Sequence, residues 1–220
     1  MNIKDITNAA SEEGLSQSFL IALETVLPDE CVFESDAITI RKEMPDNRGW
    51  TFAGLNQKDD GLSVDGSGNV TSTPQWIAIH YFNSYWSVCH CESLPYPLSI
   101  LVFVQAVNQG NGEAIIILQL ALNDYDSHLT VDGKIGDATT KAVRDVSNYN
   151  GLCLSFLETS GDRYKQIVSK NPSESKNLTG WLNRISGLEF EFCKKGIVAS
   201  ITQESSQNDG LVVTSDIINI

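Results

Sequence analysis

The segment from Ile115 to Val143 limits the possible folds of this chain more than any other. Apolar residues at Ile115, Leu118 and Leu122 fall at helical spacing. Asp132-Gly133 and Ile135-Gly136 then supply two turn signals, and a second helical stretch opens at Asp137-Ala138-Thr139. Asp137 or Thr139 is expected to cap that second helix, because a short side-chain oxygen can accept from the free N–H groups of a first turn. The reading is helix, tight turn, helix.

The rest of the chain is organised around similar apolar stretches. Ser16 to Leu27 places apolar side chains at 19, 20, 23, 26 and 27, one helical face, and Pro28 is expected to stop it with Glu30 just beyond. Ala37 to Ile40 reads as a short strand, and the Gly- and Asp-rich stretch from Gln57 to Ser72 as an extended loop or small hairpin. From Pro74 the pattern is helical again, with Trp76, His80 and Phe82 to Trp86 forming a dense aromatic face. Leu98 to Val107 is expected to be a buried helix at the centre of the first core. Asn108 to Gly112 breaks it, and a further helical region begins at Glu113. Weak alternation at 196–201 and 211–214 makes the C-terminal tail a candidate β-hairpin.

Composition narrows the function classes. A net charge of −13 argues against nucleic-acid or anionic-lipid partners drawn by long-range attraction. No apolar run reaches bilayer-spanning length, so membrane insertion is not expected. The start of the chain has no basic region followed by an apolar stretch, so no secretory signal peptide is expected. Five cysteines, at 31, 89, 91, 153 and 193, lack the spacing of a disulfide framework and fit a reducing compartment. Cys89-His90-Cys91 is poorly spaced for zinc and is read as buried or surface thiols.

Several short motifs carry a resemblance. The pattern L-Q-x-x-L…V-D-G-x-I-G-x-x-T-x-x-A, from Leu118 to Ala142, resembles peptidoglycan-binding modules attached to bacterial and phage cell-wall hydrolases. Upstream, Asp46-Asn47-Arg48-Gly49-Trp50-Thr51-Phe52-Ala53-Gly54-Leu55 is similar to the D-P-G-G-A-T-x-x-G-I segment of glycoside hydrolase family 108, the phage-type N-acetylmuramidases. Tyr85-Trp86, Leu94-Pro95 and Ala106-Val107-Asn108-Gln109-Gly110 resemble that family's Y-W, L-P and A-V-N-x-G signatures, in the family's order. Phe156, Arg163, Tyr164 and Gly180-Trp181-Leu182-Asn183-Arg184 resemble its closing pattern. The resemblance implies a mainly α, lysozyme-like α+β fold: a hydrolase domain over 1–112, a helical peptidoglycan-binding-like domain over 113–195 as the C-terminal module, and a tail from 196 to 220.

Glycoside hydrolysis needs an acid for the leaving oxygen and a group that serves water or stabilises an oxocarbenium-like transition state. Val26-Leu27-Pro28-Asp29-Glu30-Cys31-Val32 aligns with the family's V-L-x-x-E-G-G motif, which implies Glu30 as the proton donor. A carboxyl at the end of an apolar helix suits that role, since partial desolvation keeps its proton nearer neutral pH. Cys31 and Val32 replace both glycines and are expected to narrow the turn or the cleft. Thr51 is the candidate for holding the attacking water, with Asp46 in support or as base. Trp50 and Trp86 are candidates for stacking on sugar rings, and Asn108 for a polar contact across the cleft; Tyr81, Phe82 and Tyr85 are read as core. Val104 stands where the family has an acidic residue. In the second module, Asp132 and Lys134 are candidate contacts to glycan or stem peptide. The implied activity is hydrolysis of the β-1,4 bond between N-acetylmuramic acid and N-acetylglucosamine, by an endolysin or a delivered lytic effector. The resemblance implies neither a metal nor an organic cofactor. Such a protein would be made in the cytoplasm and act at the cell wall after release or delivery. Peptidoglycan is the expected partner, and a delivery or immunity protein is a candidate second one. The alternative is a catalytically degenerate binding or structural protein on the same fold.

Overall fold

Helix α4 (Leu98–Gln109) is the centre of the first core, as its composition requires: every residue from Leu98 to Ala106 is buried. The structure, a computed structural model, describes residues 1–43 and 49–194. They form two compact units, 1–159 and 160–220, the second described as far as Lys194.

In the first unit, α1 (Ile3–Glu12) opens with a capping box in which Asn2 and Asp5 satisfy each other's backbone N–H groups. Helix α2 (Gln17–Glu30) is capped by Ser16, whose Oγ accepts from Phe19 N, and buries Phe19, Ala22, Leu23, Val26 and Leu27. Pro28 does not stop this helix. Proline removes one N–H but holds φ near the helical value, and the helix runs on to Glu30. Five short strands follow. Strands β1 (Phe33–Glu34) and β2 (Ala37–Ile38) form a small hairpin, with Phe33 opposite Ile38. Strands β3 (Arg41–Glu43), β4 (Gly49–Phe52) and β5 (Leu55–Asn56) form an antiparallel sheet with β4 central. Residues 57–72 make a loop held by one antiparallel bridge, Val64 to Val70.

Helix α3 (Pro74–Tyr81) is capped by Thr73 and continues directly into a π-helical turn over Phe82–Trp86. That turn brings Phe82 and Trp86 onto Phe19, with ring centroids at 5.2 and 5.4 Å. Only Gly110 separates α4 from α5 (Asn111–Asn123), and the two helices pack on each other. The break is thus shorter than the five residues from Asn108 to Gly112 suggest. It also explains why the division expected at 112/113 falls inside the first compact unit.

Helix α6 (Asp137–Asp145) begins where expected, but neither Asp137 nor Thr139 caps it. Gly136 is the N-cap, and the Thr139 hydroxyl is buried and accepts from Gln119. Helix α7 (Tyr149–Lys170) crosses the division between the units. In the second unit, α8 (Ser175–Leu188) continues into a π-helical turn over Glu189–Lys194. Trp181 of α8 stacks on Tyr164 at 4.9 Å. The candidate hairpin at 196–220 lies outside the described residues.

Candidate active site

The site begins with a two-residue turn. Phe52 pairs with Leu55, leaving Ala53 and Gly54 to reverse the chain, with φ of +49° and +75°. Two successive positive φ values are the signature of the tight hairpin whose twist matches its strands. Tyr81, buried on α3, donates its hydroxyl to the Ala53 carbonyl at 2.9 Å and so fastens the turn to the helix.

Glu30 meets this turn from the end of α2. A β-carbon at position 54 would stand 3.0 Å from Glu30 Cβ, 3.4 Å from Glu30 Oε2 and 2.7 Å from the Tyr81 hydroxyl oxygen. Only glycine fits there, on grounds of both conformation and space. The glycine that permits close approach to the carboxylate is therefore Gly54, on the opposite strand pair. The expected obstruction at Cys31 does not arise: its φ of −99° and ψ of 147° lie in the extended region open to any residue. Val32 is exposed rather than pressed into a turn.

Two phenols feel the charge of Glu30, and both also feel that of a second carboxylate, Asp60. The Tyr81 hydroxyl is pushed well above its ordinary pKa, by burial first and then by the charge of Glu30. The half-buried Tyr85 hydroxyl is raised by burial, then by Asp60, then by Glu30, and its ring lies 5.8 Å from that of Tyr81. Burial, with Glu30 adding, pushes the Cys31 thiol up to about 12. Asp60 is held by Asn56, which donates both its backbone N–H (2.8 Å) and its side-chain amide (2.9 Å) to Oδ2. His80 Nε2 approaches Asp60 Oδ1 at 3.3 Å. Sequence reading missed Asp60 altogether and assigned Tyr85 to the core. The signal available was the spacing of Tyr81 and Tyr85, which puts both on one helical face; no local pattern links that face to residue 60.

The remaining candidates divide. Thr51 is central in the β3–β4–β5 sheet, opposite Arg41 and Asn56; it is 7% exposed, and its hydroxyl has no hydrogen-bond partner among the described residues. Thr51 lies on the same hairpin as Gly54, three residues back, so the two α-carbons are at most about 11 Å apart. Asp46 falls outside the described residues. Trp50 is half-buried with its ring facing Gly68 of the 57–72 loop. Trp86 does not line a cleft: it is 0% exposed, it packs on Phe19 and Phe103, and its indole N–H donates to Glu92 Oε2 at 2.8 Å. A ring at helical spacing with apolar neighbours serves the core. The Asn108 amide donates back to the Val104 carbonyl at 2.9 Å within α4.

In the second motif region the glutamine of the L-Q pattern is the organiser. Gln119, buried on α5, donates to Asp132 Oδ1, the Lys134 carbonyl and the Thr139 hydroxyl. Its carbonyl oxygen accepts from Asp132 N and Gly133 N, at 3.0 and 2.9 Å. Asp132 Oδ1 also accepts from Lys134 N, so this carboxylate folds the loop, and the amide of Gln119 is the main reason its pKa is lowered. Gly133, at φ +70°, would otherwise drive a β-carbon to 3.1 Å from the Gly112 carbonyl. Lys134 is exposed.

Residues 113–186 match the family model described as "Predicted Peptidoglycan domain". The match takes in the Gln119 loop and ends within α8; the chain continues past it to Ile220, so the module is internal rather than C-terminal. The fold also matches a solved structure titled "Structure of Brucella abortus SagA", with TM-score 0.58 and 20% identity over 88% of this chain and 98% of that one. That likeness establishes the mainly helical, lysozyme-like α+β fold. Comparison with curated proteins gave no match.

No helix among the described residues is long and apolar enough to cross a membrane. Among them, no group of three His, Cys, Asp or Glu side chains is placed to hold a metal. Cys89 and Cys91 are buried free thiols hydrogen-bonded to each other; that bond holds the Cys89 thiol below its usual pKa, while burial first and the bond second push the Cys91 thiol up.

Proposed function

We propose that this protein binds peptidoglycan and hydrolyses its glycan strands as an N-acetylmuramidase of the family 108 type, with Glu30 as the proton donor. The observation that carries the reading is the seating of Glu30: a carboxylate at a helix end, half-buried against a glycine that no other residue could replace, beside two phenols. A helix-end carboxyl partly withdrawn from water is the kind of group that general-acid catalysis at a glycosidic oxygen uses. The family match over 113–186 supports peptidoglycan as the polymer recognised. In this reading residues 1–112 carry the chemistry and residues 113–195 the wall contact, with Asp132 and Lys134 as the part of the loop nearest the polymer.

Thr51, with Asp46, is assigned the water. Asp60, the second carboxylate near the phenols, positions rather than reacts, since its Oδ2 is taken by Asn56 and its Oδ1 faces His80. Trp50 and Asn108 border the sugar path. Synthesis in the cytoplasm and action at the wall, as an endolysin or a delivered effector, follow from the same reading.

A second reading, a binding protein that has lost the reaction, is favoured by one feature: the Thr51 hydroxyl is sealed from solvent. The two are separated by incubating purified peptidoglycan with wild type and Glu30→Gln. We expect new reducing-end muramic acid from wild type, a drop of at least about a hundred-fold in the variant, and equal sedimentation of both proteins with the wall. Equal, nonzero release from both would remove Glu30 from the mechanism. Binding without release from either would establish the second reading.

A further inference from the structure

The start of α1 and the β1–β2 hairpin border an open cavity that no part of the proposed chemistry uses. The hairpin is pinned there by its backbone, since Ile38 N donates to the Met1 carbonyl at 3.0 Å and Thr39 N to the Val32 carbonyl at 2.7 Å. Between the two lies a space of about 590 Å³ lined by Asn2, Ile3, Lys4, Phe33, Ser35 and Asp36. That volume falls within the range of small-ligand sites.

Its lining is unusual for a surface dent. Ile3 contributes an apolar wall, and Phe33 stands 41% exposed with no aromatic partner among the described residues. Lys4 and Asp36 are both exposed, and among the described residues neither side chain is in an ion pair or hydrogen bond. The nearby Asp5 carboxylate, by contrast, is occupied by the Asn2 backbone. The cavity therefore presents one cation, one anion and one aromatic face, all uncommitted, in a chain of net charge −13 whose cations are scarce.

A neutral glycan would have no use for this pair of charges. A short peptide with carboxylates and an amine would use both, and its aliphatic carbons would cover the ring. Phe33 lies three residues beyond Glu30, so its α-carbon is within about 11 Å of that of Glu30. The cavity and the carboxylate are thus joined by a short piece of chain, a separation that one stem peptide can span. We propose that this cavity binds the stem peptide of peptidoglycan, with Lys4 pairing a stem carboxylate, Asp36 a stem amine, and Phe33 covering the chain between them. This rests on the reading of peptidoglycan as the polymer; it does not require that the bond be cleaved.

The test uses the whole protein and two defined fragments: N-acetylglucosaminyl-N-acetylmuramyl tetrapeptide and the same disaccharide without peptide, its lactyl carboxyl capped as the methylamide so that it is neutral. Neither contains the bond the enzyme would cut. Amide resonances are followed during titration. We expect the tetrapeptide fragment to shift residues 2–4 and 33–36, and the bare disaccharide to leave them in place. Lys4→Glu and Asp36→Lys should each weaken this binding at least about five-fold, through loss of one ion pair and introduction of a like-charge contact. Equal shifts from both fragments, shifts confined to 113–186, no shifts at all, or unchanged affinity in both variants would each overturn the proposal. Failure of the hydrolytic reading appears elsewhere, as absent glycan cleavage with the cavity shifts intact.

Discussion

Glu30 imposes its charge on a neighbour that can report it. Cys31 follows it in sequence, and the thiol is pushed up to about 12 by burial first and Glu30 second. Removing the charge should lower the thiol pKa while burial keeps it raised. Alkylation of Cys31 at pH 9 should therefore be faster in Glu30→Gln than in wild type; equal rates would mean that the carboxylate does not face the thiol. The raised value also carries a stability sign. The unfolded thiol loses its proton near 9.0 and the folded one near 12, so this contribution is complete below pH 9 and fades between the two values. Thr51 invites a different substitution. A buried hydroxyl without a partner is a cost to folding of about 1–3 kcal/mol. Thr51→Val should leave thermal stability unchanged or raise it, yet abolish wall hydrolysis if the hydroxyl serves the water. A stabilised and fully active variant would transfer that duty to another group.

At the scale of elements, the sequence was most legible where burial is periodic. The apolar faces of α2, α4 and α5 could be read because each helix presents one stripe or a wholly apolar surface to a core. What could not be read depends on contacts between elements. Gly54 matched a pattern, but its reason, the carboxylate and phenol above it, comes from α2 and α3. Trp86 looked like a sugar platform because local spacing cannot tell which way a π-helical turn rotates a ring. The start of α6 was placed correctly and its cap wrongly, because Thr139 had already been claimed by Gln119. That amide holds the 132–134 part of the loop, while Asn123 holds its start through the backbone of Leu129. Gln119→Leu should leave Asp132 N and Gly133 N without their acceptor and destabilise the fold by about 2–3 kcal/mol, measured by urea unfolding. The Asp132 carboxyl should titrate upward in the same variant, as its largest source of stabilisation is gone.

Over the whole molecule, charge and ligand are at odds. A protein of net charge −13 approaching a polymer that carries carboxylates is repelled at distances set by the Debye length, about 30 Å at 10 mM salt and about 8 Å at 150 mM. Wall binding, and with it the proposed hydrolysis, should therefore improve as salt rises over that interval, the reverse of the usual behaviour for a protein steered by attraction. Binding that only weakens with salt would place the contact on a local basic surface instead. Composition made this conflict legible from the start. The placement of the two uncommitted charges in the α1 cavity was hidden, because Lys4 and Asp36 are ordinary surface residues until a hairpin brings them to one opening.

The turn beneath Glu30 suggests a way to sort chains of this fold. Cys31, just after the glutamate, sits in extended backbone open to any residue, whereas position 54 has room for no more than a hydrogen atom. A chain that keeps its glutamate but places any side chain at that turn has shut the carboxylate's seat. If Glu30 is the proton donor proposed above, this one hydrogen matters more to its seat than a glycine pair beside it would, and Gly54→Ala should cost hydrolysis even where the fold survives.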